Sequence, residues 1–223
     1  MTNRSIPFEG VIFDMDGLLV DSERIWHLAE TDFVAARGEV YTDDVRESII
    51  GTRLDAMMKI VKEHYGFEEP AEDLIADLVD RMVTLIPNEV AAQPGAQEMI
   101  DFVRETGLPF GLASSSAMVI IEATLKAQGW MDIFVNRYTA DDDALGKPHP
   151  DVYLRAAREI GVDPAHCLAL EDSPTGARAA VAAGMTCFAV PDPTHATPEA
   201  FAGITPHVFG SLHEVISHLK GNE

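Results

Sequence analysis

Cysteine is scarce in this sequence: only Cys167 and Cys187 occur among 223 residues, each inside an apolar run. Two such residues are too few for a disulfide framework, so we expect two buried, reduced thiols. The eight histidines are scattered, without an HExxH motif or a cluster with cysteine, and a zinc site is not expected. No stretch approaches about 18 consecutive apolar residues, and the first ten residues lack the apolar core of a signal peptide. We therefore expect a cytoplasmic protein.

Basic residues are also few. Lys and Arg together number 16 against 37 Asp and Glu, which gives a formal net charge of −21 at pH 7. No block of five or more basic residues is present, so nucleic acids and anionic membranes are not expected partners. The remaining composition, 47% hydrophobic and 24% charged, is typical of a globular protein with a packed core. We expect one large domain, or one domain with an insertion, acting as a monomer.

One short stretch carries the strongest chemical signal. The apolar run Val11-Ile12-Phe13 ends abruptly in Asp14-Met15-Asp16-Gly17, which predicts a buried parallel strand with two carboxylates at its C-terminal end. Side chains two residues apart on an extended segment point to the same side, where two carboxylates repel unless a cation neutralises them or one is protonated. Mg²⁺ commonly fills this role beside a phosphate. Asp14 is therefore interpreted as a nucleophile and metal ligand and Asp16 as a general acid/base; an Asp-rich turn is the alternative.

After this motif the apolar residues change to helical spacing. We predict four helices and no strand between residues 23 and 90: Glu23 to about Arg37, Thr42 to Ile50, Leu54 to Tyr65, and Ala71 to about Ile86. This pattern indicates an inserted helical domain of residues 23–92. We expect hinges at the two connections, near Leu18 to Ser22 and near Val90 to Gly95.

From residue 93 onwards, strands alternate with helices. The predicted strands are Pro109 to Ala113, Ile133 to Tyr138, Cys167 to Leu170, Thr186 to Val190, and a short one at His207 to Phe209. The predicted helices are Ala96 to Thr106, Met118 to Gln128, Val152 to Ile160, Pro174 to Ala183, and Leu212 to Leu219. This alternation is typical of an α/β fold with a doubly wound, Rossmann-like parallel sheet covered by helices on both faces. Residues 1–22 and 93–223 would form this core domain.

Four polar clusters fall at the C-terminal ends of strands or at the start of the following helix. They are Asp14/Asp16, Ser114, Lys147 and Glu171/Asp172. Because the carboxyl ends of parallel strands meet at one edge of a sheet, we expect the four clusters to build one site. A phosphorylated small molecule is the substrate that would use all of them.

Each cluster has a chemical role if the substrate is a phosphate monoester. Ser114, with the backbone N–H groups of Ser115 and Ser116 at a helix N-terminus, can bind phosphoryl oxygens. Lys147 can bridge the nucleophilic carboxylate and the phosphate, and Glu171-Asp172 can complete a magnesium site. The structural alternatives are an ordinary helix N-cap at Ser114, a solvated lysine, and a helix start at Asp172.

These stretches resemble the four motifs of the haloacid dehalogenase superfamily, in order and with suitable separations. The matching residues are Phe13-Asp14-Met15-Asp16-Gly17, Ala113-Ser114, Lys147-Pro148, and Leu170-Glu171-Asp172-Ser173 with Gly176 and Ala183-Gly184. The helical insertion after the first motif resembles the cap domain of the β-phosphoglucomutase-like branch, which includes many sugar phosphatases. By this resemblance, Asp14 becomes an aspartyl-phosphate, and Asp16 protonates the leaving oxygen and then activates water. Mg²⁺ would be held by Asp14, the backbone carbonyl of Asp16, and Asp172, with Glu171 in its inner or outer coordination sphere.

The predicted cap departs from the mutase pattern. The mutases that resemble this chain carry a His twelve residues after the nucleophile, where this sequence has Trp26, with His27 next to it. A shift of one residue on a helix turns a side chain by about 100°, so the mutase assignment is weakened. Trp26 is interpreted either as a wall that stacks on a sugar or as cap packing. Gly51-Thr52-Arg53 resembles the substrate loop of the cap, and Arg53 is the candidate cation for substrate, with a surface ion pair as the alternative.

The leading hypothesis is a Mg²⁺-dependent phosphatase acting on a small phosphorylated metabolite, a hexose or other sugar phosphate. A phosphosugar mutase of the β-phosphoglucomutase type is the second enzyme hypothesis. A dehalogenase uses the same aspartate without a metal, and the presence of Asp16 and Glu171-Asp172 argues against it. A non-enzymatic receiver-like phospho-accepting domain also places acids, a Ser/Thr and a Lys at strand ends, but it has no use for the insertion at residues 23–92.

Overall fold

A five-stranded parallel sheet forms the centre of the computed structural model, which describes residues 6–49, 52–194 and 196–221. The strands of the described chain are β1 Gly10–Phe13, β2 Val20–Asp21, β3 Ala91–Ala92, β4 Phe110–Ser114, β5 Arg137–Thr139, β6 Cys167–Glu171 and β7 Thr186–Ala189. The parallel sheet has the order β5-β4-β1-β6-β7, so β1 is central. Phe13, the last residue of β1, lies opposite Leu112 of β4 and Leu170 of β6. This arrangement confirms the predicted α/β fold.

The helices of the described chain are α1 Glu23–Ala35, α2 Asp43–Ile49, α3 Leu54–Tyr65, α4 Ala71–Glu89, α5 Ala96–Thr106, α6 Met118–Ala127, α7 Asp151–Ile160, α8 Pro174–Ala182 and α9 Leu212–Leu219. Helices cover both faces of the sheet. Val11 and Phe13 pack on one face with α5, α6 and α9, whereas Ile12 packs on the other face with α7 and α8. Successive strand residues point to opposite faces, so the apolar run of β1 serves two cores at once.

Helices α1 to α4, here called the cap helices, pack around their own apolar cluster. Phe33, Met58, Leu78 and Ile86 are buried in it. The cluster also contains Ile120 of α6, which is 1% exposed. The cap helices are therefore seated on α6 through a shared apolar contact.

The connections to the cap helices hold strands that the sequence did not predict. β2 and β3 pair antiparallel, with Val20 opposite Ala92 and Asp21 opposite Ala91. The side-chain amide of Gln93 also donates a hydrogen bond of 3.0 Å to the carbonyl of Gly17. Two-residue strands show no alternation of apolar and polar residues, so the sequence offered no signal for this pairing.

Two predicted strands were wrong in extent. Ile133 and Phe134 lie in a turn, where both backbone N–H groups donate to the carbonyl of Trp130, and β5 begins only at Arg137. Phe134 is fully buried although it does not lie in a strand. The apolar run therefore indicated a buried segment and not an extended one. The strand predicted at residues 207–209 is reduced to a single bridge between Ala189 and Val208.

Helix boundaries agree more closely with the predictions. The bounds of α3, α5 and α9 match, and the glycine after α3 and after α5 has the left-handed conformation typical of a helix end. Helix α4 continues through Pro87 to Glu89, a turn further than predicted, and the N–H of Val90 still donates to the carbonyl of Ile86. Ile50, the predicted end of α2, lies outside the described residues. Among the helices described, none has the length and apolar character needed to cross a membrane.

Candidate active site

The C-terminal edge of the sheet brings the predicted charges together. Asp14 follows β1 directly and is buried, and the ammonium group of Lys147 lies 2.6 Å from its Oδ1. The same ammonium group lies 2.7 Å from Oε1 of Glu171 at the end of β6 and donates to the carbonyl of Ala113 at 3.1 Å. The structural alternative of a solvated surface lysine does not apply, since the Lys147 side chain is 5% exposed.

The electrostatics of this group follow from its burial. Burial, the largest influence, raises the pKa of Asp14 well above its usual value, although the charge of Lys147 acts in the opposite direction. Neighbouring carboxylates, chiefly that of Glu171, raise it further. Burial alone would lower the pKa of Lys147, but the charges of Asp14 and Glu171 outweigh it and raise that pKa. The site therefore holds a charged lysine among carboxylates that outnumber it.

Glu171 is fixed by four donors. Its Oε1 accepts hydrogen bonds from Lys147 and from the hydroxyl of Tyr153 at 2.6 Å, and its Oε2 accepts from the hydroxyl and N–H of Ser173. Burial raises the pKa of Tyr153 well above its usual value, so the phenol keeps its proton and remains a donor. A Cβ added at Gly176 would lie 1.8 Å from Oε1 of Glu171, so the carboxylate requires glycine at that helix position.

Three carboxylates could hold a metal ion. Asp14, Glu171 and Asp172 each offer a ligand atom, all within 4.8 Å of one another. Asp172 packs against the backbone of Gly17, whose φ is +80°, and a Cβ there would lie 2.1 Å from Oδ2 of Asp172. Donors that are all oxygen and carry excess negative charge suit Mg²⁺. These residues therefore fit the predicted magnesium site.

Asp16 is held by two serines. Its Oδ2 accepts hydrogen bonds from the hydroxyls of Ser114 at 3.0 Å and Ser116 at 2.8 Å. Its Oδ1 is buried without a hydrogen-bond partner among the described residues, an atom that a substrate or water could engage. The Ser114 hydroxyl also accepts from the N–H of Ser116 at 2.9 Å. In this arrangement, Ser114 donates to Asp16, and its predicted contact with phosphoryl oxygens remains a prediction.

A cavity of about 110 Å³ lies between this edge and the cap helices. Its lining includes Asp14, Asp16, Ser115, Ser116, Lys147 and Asp172 from the sheet edge, and Glu23, Trp26, Glu30, Arg46 and Thr52 from the cap side. Trp26 also packs against the apolar cluster of the cap helices, which agrees with the packing alternative, while its stacking on a sugar stays a prediction. The cavity therefore has the candidate catalytic residues on the side of the sheet and polar residues of the cap helices on the other side.

Arg53, the predicted cation for substrate, lies outside the lining of this cavity. Its guanidinium group pairs with Asp55 and donates to the carbonyl of Asp143 at 3.2 Å, and Arg53 is not among the residues that line this cavity. Gly51, in the predicted substrate loop, is outside the described residues. The substrate role of Arg53 therefore stays a prediction, while Arg46 of α2 lines the cavity.

Sequence reasoning missed several residues of the site: Ser116 as a side chain, Tyr153, Glu23, Glu30 and Arg46. A usable signal existed on α1, where Glu23, Trp26 and Glu30 recur at intervals of three and four residues and so share one helix face. Tyr153 and Arg46 carry no such signal, because their contacts depend on how separate elements pack.

Known proteins match both the sequence and the fold. Residues 8–184 match the family model of the haloacid dehalogenase-like hydrolases. Hexitol phosphatase B of Escherichia coli (strain K12) is 35% identical over 184 residues, which cover 82% of this chain and 83% of the relative. The crystal structure of CbbY from Rhodobacter sphaeroides in complex with phosphate has a TM-score of 0.83 and 28% identity, covering 93% of this chain and 96% of that chain.

The β-phosphoglucomutase of Clostridium difficile shares the fold, with a TM-score of 0.81 at 22% identity and 96% coverage of both chains. The matched family model spans most of the chain and includes the sheet edge with Asp14, Lys147 and Glu171. The chain belongs to the haloacid dehalogenase-like hydrolase family. The resemblance drawn from its four motifs is thereby confirmed.

Proposed function

We propose that this hydrolase is a Mg²⁺-dependent phosphatase that removes the phosphoryl group from a small phosphorylated metabolite, a hexose or related sugar phosphate, through an aspartyl-phosphate on Asp14. The observation that carries the proposal is the buried contact of Lys147 with Asp14 and Glu171, beside Asp16 held by two serines. Family membership and the phosphatase among the relatives support the reaction class. The cytoplasmic location and monomeric state expected from the sequence stay predictions.

The first half of the reaction uses Asp14 as nucleophile. Its carboxylate attacks phosphorus, forming a new P–O bond while the bond to the leaving oxygen of the sugar breaks. Asp16 donates a proton to that leaving oxygen, and Ser115, which lines the cavity, donates to the phosphoryl oxygens. Lys147 balances the charge on Asp14 and the phosphoryl group.

In the second half, Asp16 accepts a proton from water as that water attacks phosphorus. The bond to Asp14 breaks, phosphate leaves, and the carboxylate is restored. Mg²⁺ would be held by Asp14, the backbone carbonyl of Asp16, and Asp172, and when bound it neutralises phosphoryl charge. Glu171, already bound by Lys147, Tyr153 and Ser173, would act in the outer coordination sphere.

The direct test incubates purified protein with hexose 6-phosphates and β-glucose 1-phosphate in the presence of Mg²⁺, with and without the 1,6-bisphosphate of the sugar, and follows free phosphate and isomerised sugar. We expect one phosphate per sugar released and little isomer, because Trp26 offers no ionisable group to control transfer back to a sugar. Isomerisation that needs the 1,6-bisphosphate and outruns phosphate release would favour the mutase instead.

A further inference from the structure

The cavity has a polar wall on the cap side, here called the cap wall and formed by Glu23, Trp26, Glu30 and Arg46. The first three residues lie on α1, and Arg46 lies on α2. The cap wall faces the same cavity as Asp14 and Asp16, so it would contact whatever part of a substrate extends from the phosphate. Its chemistry therefore bears on the identity of the leaving group.

The cap wall has more acid than base. Glu30 is 7% exposed and accepts a hydrogen bond of 2.5 Å from the hydroxyl of Tyr41. The guanidinium group of Arg46 lies 3.5 Å from Glu23, so the cation is already opposed by a carboxylate on the same wall. Burial raises the pKa of Glu30 to about 7, with a smaller contribution from the charge of Glu23, while Tyr41 and Arg46 act in the opposite direction. The cap wall thus presents two carboxyl groups and one guanidinium group to the cavity.

We infer that the cap wall selects phosphate monoesters whose remaining part is a neutral polyhydroxylated chain or ring, and rejects substrates that carry a second anionic group. Hydroxyl groups donate hydrogen bonds to carboxylates, and the face of Trp26 packs against the C–H groups between them. Above pH 7, where Glu30 is ionised, a carboxylate or second phosphate would instead lie against the like charges of Glu23 and Glu30, which costs several kcal/mol. The inference rests on the proposed function and narrows its substrate class.

A matched pair of substrates isolates the effect. Glucitol 6-phosphate and gluconate 6-phosphate have the same carbon skeleton and differ only at C1, where a CH₂OH group is replaced by a carboxylate. At pH 8, where Glu30 is ionised, we expect kcat/KM for the glucitol compound to exceed that for the gluconate compound by about tenfold or more, since tenfold is well within the cost of opposing like charges. p-Nitrophenyl phosphate, assayed in parallel, reports the phosphoryl-transfer chemistry without a sugar.

Charge-neutralising variants then assign the preference to the cap wall. Glu30→Gln and Glu23→Gln are made as separate variants, so that one remains if the other fails to fold. Each should lower the ratio of kcat/KM for the glucitol compound to kcat/KM for the gluconate compound by about threefold or more. Glu47→Gln is the matched control, because it removes the same charge from α2 at an exposed position outside the cavity lining. It should leave the ratio at the parent value.

The possible results distinguish a failure of the proposed substrate preference from a failure of the proposed phosphatase activity. If none of the three phosphates is hydrolysed, the phosphatase proposal fails and this inference fails with it. If p-nitrophenyl phosphate is hydrolysed but the two sugar compounds react equally, or the gluconate compound reacts faster, only the inference is overturned. If neither sugar compound reacts, both are compared as inhibitors of p-nitrophenyl phosphate hydrolysis, where equal or absent inhibition overturns it. Ratios unchanged in both Glu→Gln variants also overturn it.

Discussion

Lys147 is the single residue on which the charges of the site most depend. Its side chain is 5% exposed and contacts two carboxylates, so truncating it leaves uncompensated negative charge beside the reacting phosphate. We expect Lys147→Ala to lower kcat/KM for p-nitrophenyl phosphate by about 100-fold or more. Lys126→Ala, at an exposed position on α6, is the control and should leave kcat/KM unchanged. A loss of less than about threefold for Lys147→Ala would contradict a role for this charge.

The ionisation of Glu30 makes the free energy of unfolding depend on pH. Its pKa is raised from 4.5 to about 7, so between these values the folded protein binds more protons at Glu30 than the unfolded chain. Glu30 therefore lowers the free energy of unfolding as pH rises from 4.5 to 7, by about 3 kcal/mol in total. Glu30→Gln should remove this decline while keeping an acceptor for Tyr41.

The measurement is urea unfolding of the parent, Glu30→Gln and Glu47→Gln at pH 5 and pH 8. The difference in unfolding free energy between the two pH values should shrink only in Glu30→Gln. Identical pH dependence in all three proteins would show that Glu30 ionises as easily in the folded state as in the unfolded chain.

For single residues, the sequence predicted the position correctly where the residue lies at the C-terminal end of a strand. Asp14, Glu171 and Asp172 follow the strands β1 and β6 or end them, and topology alone brings them together. Tyr153 could not be predicted, because its contact with Glu171 depends on the rotation of α7 against the sheet. Arg53 shows the same limit: a motif gave its place in the chain, but the ion pair with Asp55 decides where its side chain points.

Among the elements, α6 connects the sheet to the cap helices. Helix lengths followed from periodicity and terminal glycines, but the seating of the cap on α6 and the pairing of β2 with β3 required contacts between distant segments. We propose that residues 23–92 form a separate domain that hinges at these paired connections. Closing over substrate would exclude bulk water from the cavity.

Ile120 tests this contact. The side chain is 1% exposed and belongs to the cap cluster, so Ile120→Ala should cost about 2 to 5 kcal/mol. We expect faster hydrogen exchange in α4 and α6 and a higher KM, because the cap would be seated less firmly. Val119→Ala, at the exposed neighbouring position, is the control. Unchanged exchange in α4 would contradict a cap held by this contact.

At the scale of the whole molecule, the net charge is −21, and the buried carboxylates at the sheet edge support our proposal that the reaction depends on a divalent cation. We expect activity to disappear with EDTA and to return with Mg²⁺ and partly with Mn²⁺, while Ca²⁺ inhibits through its looser coordination. Mg²⁺ should also raise the melting temperature, because an ion that binds only the folded state stabilises it. Full activity after exhaustive chelation would contradict a metal-dependent reaction.

The proposed covalent intermediate can be observed directly on Asp14. The protein is mixed with p-nitrophenyl phosphate and Mg²⁺, quenched in acid within the first turnover, reduced with borohydride and digested for mass spectrometry. An aspartyl-phosphate is reduced to homoserine, so the account predicts homoserine at position 14 in the parent, none in Asp14→Asn, and almost complete loss of turnover in that variant. Unmodified Asp14 throughout the first turnover, with Asp14→Asn releasing phosphate within tenfold of the parent rate, would contradict it.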